Sequence, residues 1–375
     1  MQVQLIALSD VDAADARRWQ DLAADALAPN MCLDPRFLLP ALALGAETDE
    51  IRLLVVREGG TWLAALACTT KRVAPRVPVR AVTTGGEMLT RECDRQHPLV
   101  RRGRAVEVLD ALLRGTAEVG LPGLVQLRRF PVEGPLAATL AQVVRRRRMR
   151  VHERSRDVGV WAPRDAVAVL PVPSPVDGVL VDPPLSCAHM RTDDARNTRR
   201  VARGLAREAG GPLELHDESG DPAAVDRFVA LQAAGWKGDA ARGGAAVGLD
   251  PARERWFRGQ VAAFGADGDL RVLRLAAGGT TLWTGFQVRS GDGWYGLLDA
   301  YDERFRRLSP GSVGRVAAMT YLLGTTDAAF VDPGFSSHYA VGARIWPAAR
   351  PQADLLVAAR GPVAHAVLAA AHLRS

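Results

Sequence analysis

At 375 residues the chain exceeds ordinary single-domain length, so two domains are expected, and 48% hydrophobic with 24% charged residues exclude a disordered chain. The 48 Lys and Arg against 42 Asp and Glu leave a net charge of +6, nearly all of it on arginine; this permits a phosphate-bearing partner, although a GC-rich coding bias toward Arg, Ala and Gly yields the same balance. Cys32, Cys68, Cys93 and Cys187 lie far apart without metal-ligand spacing, and no apolar run nears the roughly 20 residues that span a bilayer, so reduced thiols in the cytoplasm, no metal and no membrane span are predicted.

In chain order, Ala13 to Leu27 has helical periodicity, and Met31 to Leu44 reads as a second helix begun at Asp34-Pro35. Ile51 to Val56 and Trp62 to Thr70 read as strands joined at Gly59-Gly60. Ala105 to Val119 places Val106, Leu109, Leu112 and Leu113 on one helix face, Leu121 to Leu127 is a strand, and Leu136 to Arg148 is a helix ending in four arginines. Those arginines lack interleaved aromatics, which favours a solvated helix end over a nucleic-acid patch. Prolines from Pro163 to Pro184 mark a crossover with room for a strand at Ala166 to Leu170. The predicted organisation is therefore residues 1–165, a linker at 166–190, and residues 191–375.

The second half opens with a helix capped by Thr192, with Asp193 and Asp194 in its first turn. Val201, Leu205 and Ala209 form its apolar stripe, and Arg196, Arg199, Arg200, Arg203 and Arg207 line another face. Asp221-Pro222 and Asp250-Pro251 announce two more helices, closed at Gly235 and Gly265, with a glycine-rich loop after Trp236-Lys237-Gly238. Leu270 to Ala276, Thr281 to Val288 and Trp294 to Ala300 then form a three-stranded meander. It leads into Arg306 to Gly324, where Ser309 is the expected N-cap and Pro310 the first helical residue. Gly311, Ser312, Val313 and Gly314 start that helix, with Arg306, Arg307 and Arg315 around it, and such an N-terminus suits an anionic group. A last strand, Ala328 to Val331, enters Asp332-Pro333-Gly334, followed by His338, Tyr339 and Trp346. His338 has no metal-ligand spacing.

The order helix, helix, three antiparallel strands, helix, strand resembles the acyl-CoA-binding fold of the GNAT superfamily. RNTRRVARGL, LQAAGWKG, LWTGFQV, GWYGLLDAYDERFRRLSPGSVG and FVDPGFSSHYAVGARIW are similar to the C-terminal half of CelD-type GNAT-like proteins and of their relatives, the FemABX aminoacyl transferases. Trp19, DPRFLLPAL, LLVVREGGTWLAALAC and HPLV extend the resemblance, more loosely, over the first half. It implies an α/β (α+β) chain of two tandem GNAT-like domains, each a mixed, mainly antiparallel sheet flanked by helices. It also implies acyl transfer to the amine of a small molecule, with acetyl-CoA or another acyl-CoA as donor and aminoacyl-tRNA as the alternative donor and partner. A catalytically degenerate GNAT-like binding module is the third reading. The chain departs from the family at Tyr339-Ala340, where Tyr-Lys is frequent, and SPGSVG has fewer glycines than a standard pyrophosphate loop.

Acyl transfer to an amine requires donors at the developing oxyanion, a group that keeps the amine neutral, and positioning of both reactants. The third meander strand, at Leu297 and Leu298, is the candidate for backbone donors. Asp299 is the candidate base or amine-orienting carboxylate, and Tyr301 or Tyr339 the proton donor to the leaving group. Arg306, Arg307, Ser309, Gly311, Ser312, Val313 and Gly314 are assigned to the donor's phosphate, and Trp236, Lys237, Asp302 and Asp332 to substrate. No GxSxG elbow, HExxH helix or Walker loop is present, which disfavours serine hydrolases, zincins and P-loop enzymes.

Overall fold

The computed structural model describes residues 1–74, 77–84, 86–335 and 338–372. The chain folds into two compact units, residues 1–159 with 350–375, and residues 160–349.

The first unit begins with strand β1 (Gln2–Ala7) and helix α1 (Ala13–Ala24). Asp12 caps α1 by accepting from the N–H groups of Ala14 and Asp15 at 2.8 and 2.7 Å. Trp19 is fully buried on this helix, donates its indole N–H to the Leu33 carbonyl at 2.8 Å, and stacks on Trp62 at 6.0 Å. The helix expected over Met31 to Leu44 is instead a 3-10 turn, the single turn α2 (Pro35–Leu38) and a further 3-10 segment. Asp34 is extended (φ −81°, ψ 136°) because the residue before a proline is kept out of the helical region, and Pro40 removes another N–H.

Strands β2 (Arg52–Glu58), β3 (Thr61–Ala74) and β4 (Val77–Thr83) continue antiparallel from β1. Helix α3 (Glu87–Glu92), the short β5 (Leu99–Val100) and helix α4 (Ala105–Gly115) lead to β6 (Leu124–Pro131), which lies parallel to β4. Leu109, Leu112 and Leu113 of α4 and Leu136, Leu140 and Val143 of α5 (Gly134–Arg147) pack on one face of this sheet. The arginine run is the exposed end of α5: Arg147 pairs with Asp110 at 2.6 Å and Arg148 caps the helix at φ 52°.

Strand β7 (Arg150–Pro163) carries the chain into the second unit. No strand forms at Ala166 to Leu170: Arg164–Ala166 make a 3-10 turn, and residues 167–170 follow it without ladder pairing. Then come β8 (Val179–Val181), α6 (Thr192–Ala209), β9 (Leu213–Asp217), α7 (Ala224–Ala234) and α8 (Pro251–Ala266). Asp250 caps α8, whereas α6 starts after Arg191 without a side-chain cap, so Thr192 does not fill the role expected of it. The meander is β10 (Leu270–Ala277), β11 (Thr280–Ser290) and β12 (Gly293–Tyr301), followed by α9 (Pro310–Thr325), β13 (Phe330–Asp332) and the turn α10 (Ala340–Ala343).

In this unit β8, β9, β10, β11 and β12 are successively antiparallel, β12 and β13 are parallel, and Ala162 and Pro163 of β7 pair antiparallel with β13. One face packs on α6 and α9 through Trp283, Leu205, Val313, Val316 and Leu322. On the other, Phe286 meets Phe228 of α7 and Phe257 of α8 at ring separations of 4.9 and 5.0 Å.

The chain then returns to the first unit as β14 (Ala348–Ala358), antiparallel to β6, and α11 (Pro362–His372). Residues 350–375 thus differ from the predicted organisation, which placed them with the second half. Each unit is a mixed, mainly antiparallel sheet flanked by helices, the fold class predicted from the sequence. All four cysteines are buried and free. Among the described residues no helix is long and apolar enough to cross a membrane, and no group of three His, Cys, Asp or Glu could hold a metal ion.

Candidate active site

The site lies in the second unit, where β12 and β13 come apart. Their parallel pairing runs through Gly293↔Phe330 and Trp294↔Val331 and ends at Tyr295↔Asp332. From Gly296 onward β12 has no strand on that side among the described residues, and residues 296–299 are half-buried where Gly293 to Tyr295 are buried. On the other side, β12 carries a bulge against β11: Phe286 faces Leu298 and Gln287 faces Gly296, which leaves Leu297 as the extra residue. A bulge interrupts the ladder locally and leaves its extra residue unpaired. The gap is a cavity of about 160 Å³, lined by Gly296 to Asp299 of β12, by Val331 and Pro333, by Arg315, Ala318 and Met319 of α9, and by Lys237, Gln287, Phe335 and Trp346.

A charged cluster stands at one end. Arg315 holds Asp299 bidentately, Nε to Oδ2 at 2.7 Å and Nη2 to Oδ1 at 3.0 Å, and Trp283 Nε1 donates to the same Oδ2 at 3.0 Å. Burial works to raise the Asp299 carboxyl, but the Arg315 charge and hydrogen bonds, with Lys237 and the Trp283 indole, outweigh it and hold the group below the ordinary carboxylate range. Lys237 donates its Nζ to the Asp299 carbonyl at 3.0 Å. Desolvation lowers its pKa, with Asp299 opposing and Arg315 reinforcing that shift. The Arg315 guanidinium also lies 5.2 Å from the ring centre of Phe335 and 5.6 Å from that of Tyr339.

Of the residues singled out from sequence, Lys237, Leu297, Leu298 and Asp299 meet on the cavity. Tyr301 and Tyr339 flank the cluster without lining it. Tyr301 faces Gly311 on α9 and, mainly through burial, has a raised pKa that keeps its phenol protonated; Tyr339 is half exposed over Arg315. Trp236 is exposed on the surface, its backbone N–H bound to Glu303 at 2.8 Å. Asp302 caps the 3-10 segment Glu303–Leu308 and pairs with Arg304 at 2.5 Å, a turn-capping geometry. Asp332 is fully buried and accepts from Gly334 N–H at 2.8 Å, although its neighbours Val331 and Pro333 reach the cavity.

The start of α9 differs from its expected form. Ser309 lies in the left-handed region (φ 46°) and its side chain makes no cap. Its N–H goes to Arg306 O at 3.2 Å, and its carbonyl accepts from Ser312 and Val313 at 3.0 and 3.3 Å. Pro310 has no N–H, so the donors left at this end are few. Gly314 is a packing glycine: a Cβ there would stand 2.2 Å from the Trp283 ring, which brings helix and strand close enough for Arg315 to reach Asp299. Arg306 and Arg307 remain exposed.

Three lining residues were not assigned to the site from the sequence. Arg315 appears there only as positive charge near a helix start. Gln287 follows Trp283 and Gly285 on one strand face, a carboxamide where alternation calls for an apolar side chain. Trp346 sits in a tail with no periodicity to orient it.

Comparison with known proteins bears on the family and the fold. Residues 193–332 match the family model of the acetyltransferase (GNAT) domain. No curated protein matches the sequence. Among solved structures, the chain is similar to FemX, with 12% identity and a TM-score of 0.57 over 98% of this chain and 100% of that one. It is also similar to a conserved protein of unknown function from Bacteroides thetaiotaomicron, with 12% identity and a TM-score of 0.56 over 95% and 99%. A third is the C-terminal domain of a protein from Agrobacterium fabrum named as a lysylphosphatidylglycerol synthetase, with 12% identity and a TM-score of 0.51 over 96% of each. At such identities the likeness is one of fold. The chain therefore carries a GNAT-type acyltransferase domain, reaching from α6 to β13 of the second unit.

Proposed function

We propose that this protein transfers an acyl group from acyl-CoA to an amine of a small-molecule acceptor, in the cavity between β12 and β13. The observation that carries the reading is the coincidence of a strand separation, a bulge at Leu297 and a buried Lys237–Asp299–Arg315 cluster around one cavity. When bound, acyl-CoA supplies a thioester carbonyl activated toward amines. The backbone N–H groups of Leu297 and Leu298 are the donors for charge developing on the acyl oxygen, where fixed dipoles are most effective. Asp299, kept ionised by Arg315, serves as an orienting carboxylate for the amine rather than as a base. Lys237 is the cavity group suited to exchange a proton with the incoming amine, since desolvation lowers its pKa. Tyr301 and Tyr339 remain candidates for proton donation to the departing thiolate. The exposed Arg306 and Arg307, more than the few free donors of Ser309 to Gly314, suit the phosphates of the donor. The CelD-type relationship and a cytoplasmic setting, where buried thiols stay reduced, belong to the same proposal.

A second reading, aminoacyl-tRNA as donor, is favoured by Arg199 and Arg203, exposed one turn apart on α6 beside a groove of about 310 Å³. Salt separates the two. Raising salt from roughly 50 to 200 mM collapses binding that neutralises many phosphates and weakens binding of a single CoA much less. The direct test is thermal stability with acyl-CoA, because a ligand at a hundredfold excess over Kd adds about 2.7 kcal/mol. A shift with acyl-CoA that disappears in Leu298→Trp supports the site, and no shift with any acyl-CoA removes the first reading.

A further inference from the structure

The cavity closes at the end where β12 and β13 begin to pair, beside Gly296 and opposite Gln287. Its walls there are apolar: Ala318, Met319 and Val331 are at most 3% exposed. One polar group interrupts them. Gln287 is 7% exposed, lines the cavity, and its carboxamide makes no hydrogen bond to a described residue. A carboxamide that faces a cavity without an internal partner is stripped of water when the cavity fills, and a purely alkyl occupant would leave it unpaired.

We infer that the cavity selects an acyl group bearing a hydrogen-bonding substituent, a hydroxyl in the simplest case, and that Gln287 is the specificity-determining residue. This rests on the acyl-transfer reading of the site. A strand rises about 3.3 Å per residue, and Gln287 stands opposite Gly296, one residue before Leu297. An acyl oxygen held at Leu297 and Leu298 therefore leaves the second or third acyl carbon beside the carboxamide. A hydroxyl there can donate to Gln287 Oε1 or accept from its Nε2, so the carboxamide keeps a partner when the occupant displaces water. An unsubstituted chain of the same length gains no such bond, and sites built around a buried polar group discriminate strongly against occupants that cannot satisfy it.

The test compares butyryl-CoA with 3-hydroxybutyryl-CoA, and the N-acetylcysteamine thioesters of the same two acids, by calorimetry on the full chain. The hydroxylated member of each pair should bind at least about tenfold tighter. Gln287→Leu should bring that ratio to near unity, chiefly by losing affinity for the hydroxylated member. Gln287→Asn, which keeps the amide, should retain part of it, and both variants are first checked for cooperative unfolding. Equal or tighter binding of the butyryl member, or a ratio unchanged in Gln287→Leu, would overturn the inference. Selectivity confined to the short thioesters would uphold the inference and remove CoA as donor, while binding of none of the four would remove both.

Discussion

The two units share one strand plan, an antiparallel meander followed by a parallel step, and they treat that step differently. In the first, β4 and β6 pair at Val82↔Val125 and Thr83↔Gln126, and the pairing is continued by Thr84 N–H to Gln126 O at 3.1 Å. Arg128 N–H then binds Thr84 Oγ1 at 2.9 Å and the Arg128 guanidinium binds Thr90 at 2.6 Å, so side chains occupy the place where the strands would separate. A recess of about 10 Å³ lies beside Asn30, Cys32, Thr84 and His97. Burial, with Arg95 and Arg350 nearby, pushes the His97 pKa down to about 3 and keeps its ring neutral. In the second unit the same step opens into about 160 Å³ with a lysine, an aspartate and an arginine on its wall. Topology alone therefore does not make the site; what fills the opening does.

The largest effect expected from breaking this contrast is in the second unit. Arg315→Met leaves Asp299 charged and partly buried, each partner being 19% exposed, and should cost about 3 kcal/mol in urea unfolding and remove acyl transfer. Adding Asp299→Asn to it should restore much of the stability and none of the activity, which separates the fold from the chemistry. Gly314→Ala sets a methyl against Trp283 and should cost about 1–3 kcal/mol, with reduced acyl-CoA binding as helix and strand move apart. Thr84→Val in the first unit removes one hydrogen bond, should cost about 1 kcal/mol, and should leave acyl-CoA affinity unchanged.

The smallest effect is a slope with pH. The folded pKa of Lys237 lies below 10.5, so between that value and 10.5 the unfolded chain binds more protons, and stability should rise with pH through the window. Lys237→Met should flatten the rise. Asp299 acts at the opposite extreme: its folded pKa lies below 3.8, so its contribution is present above 3.8 and is lost as the solution becomes more acidic.

Much of the second unit was legible in its sequence. Alternation bounded by Gly278-Gly279 and by Ser290 to Gly293 marked the meander, and Lys237, Leu297, Leu298 and Asp299 do share a cavity. The partner of Asp299 was not legible, because Arg315 comes 16 residues later, across a strand, a turn and a helix start, and no local spacing rule joins them. Ser309 does stand at the N-cap with Pro310 first in the helix, but after the 3-10 segment it is left-handed, and its carbonyl rather than its hydroxyl accepts from the helix start, which no spacing rule announces. The placement of Gln352 to Ala358 beside β6 is likewise set by tertiary pairing, since an alternating strand does not name its sheet.

Backbone hydrogen exchange with a bound acyl-CoA tests the central claim most directly. The account predicts slower exchange at Leu297 and Leu298, with residues 82–84 and 124–126 of the first unit unchanged. Binding that protects the first unit's parallel step and leaves Leu297 and Leu298 unaltered would contradict it.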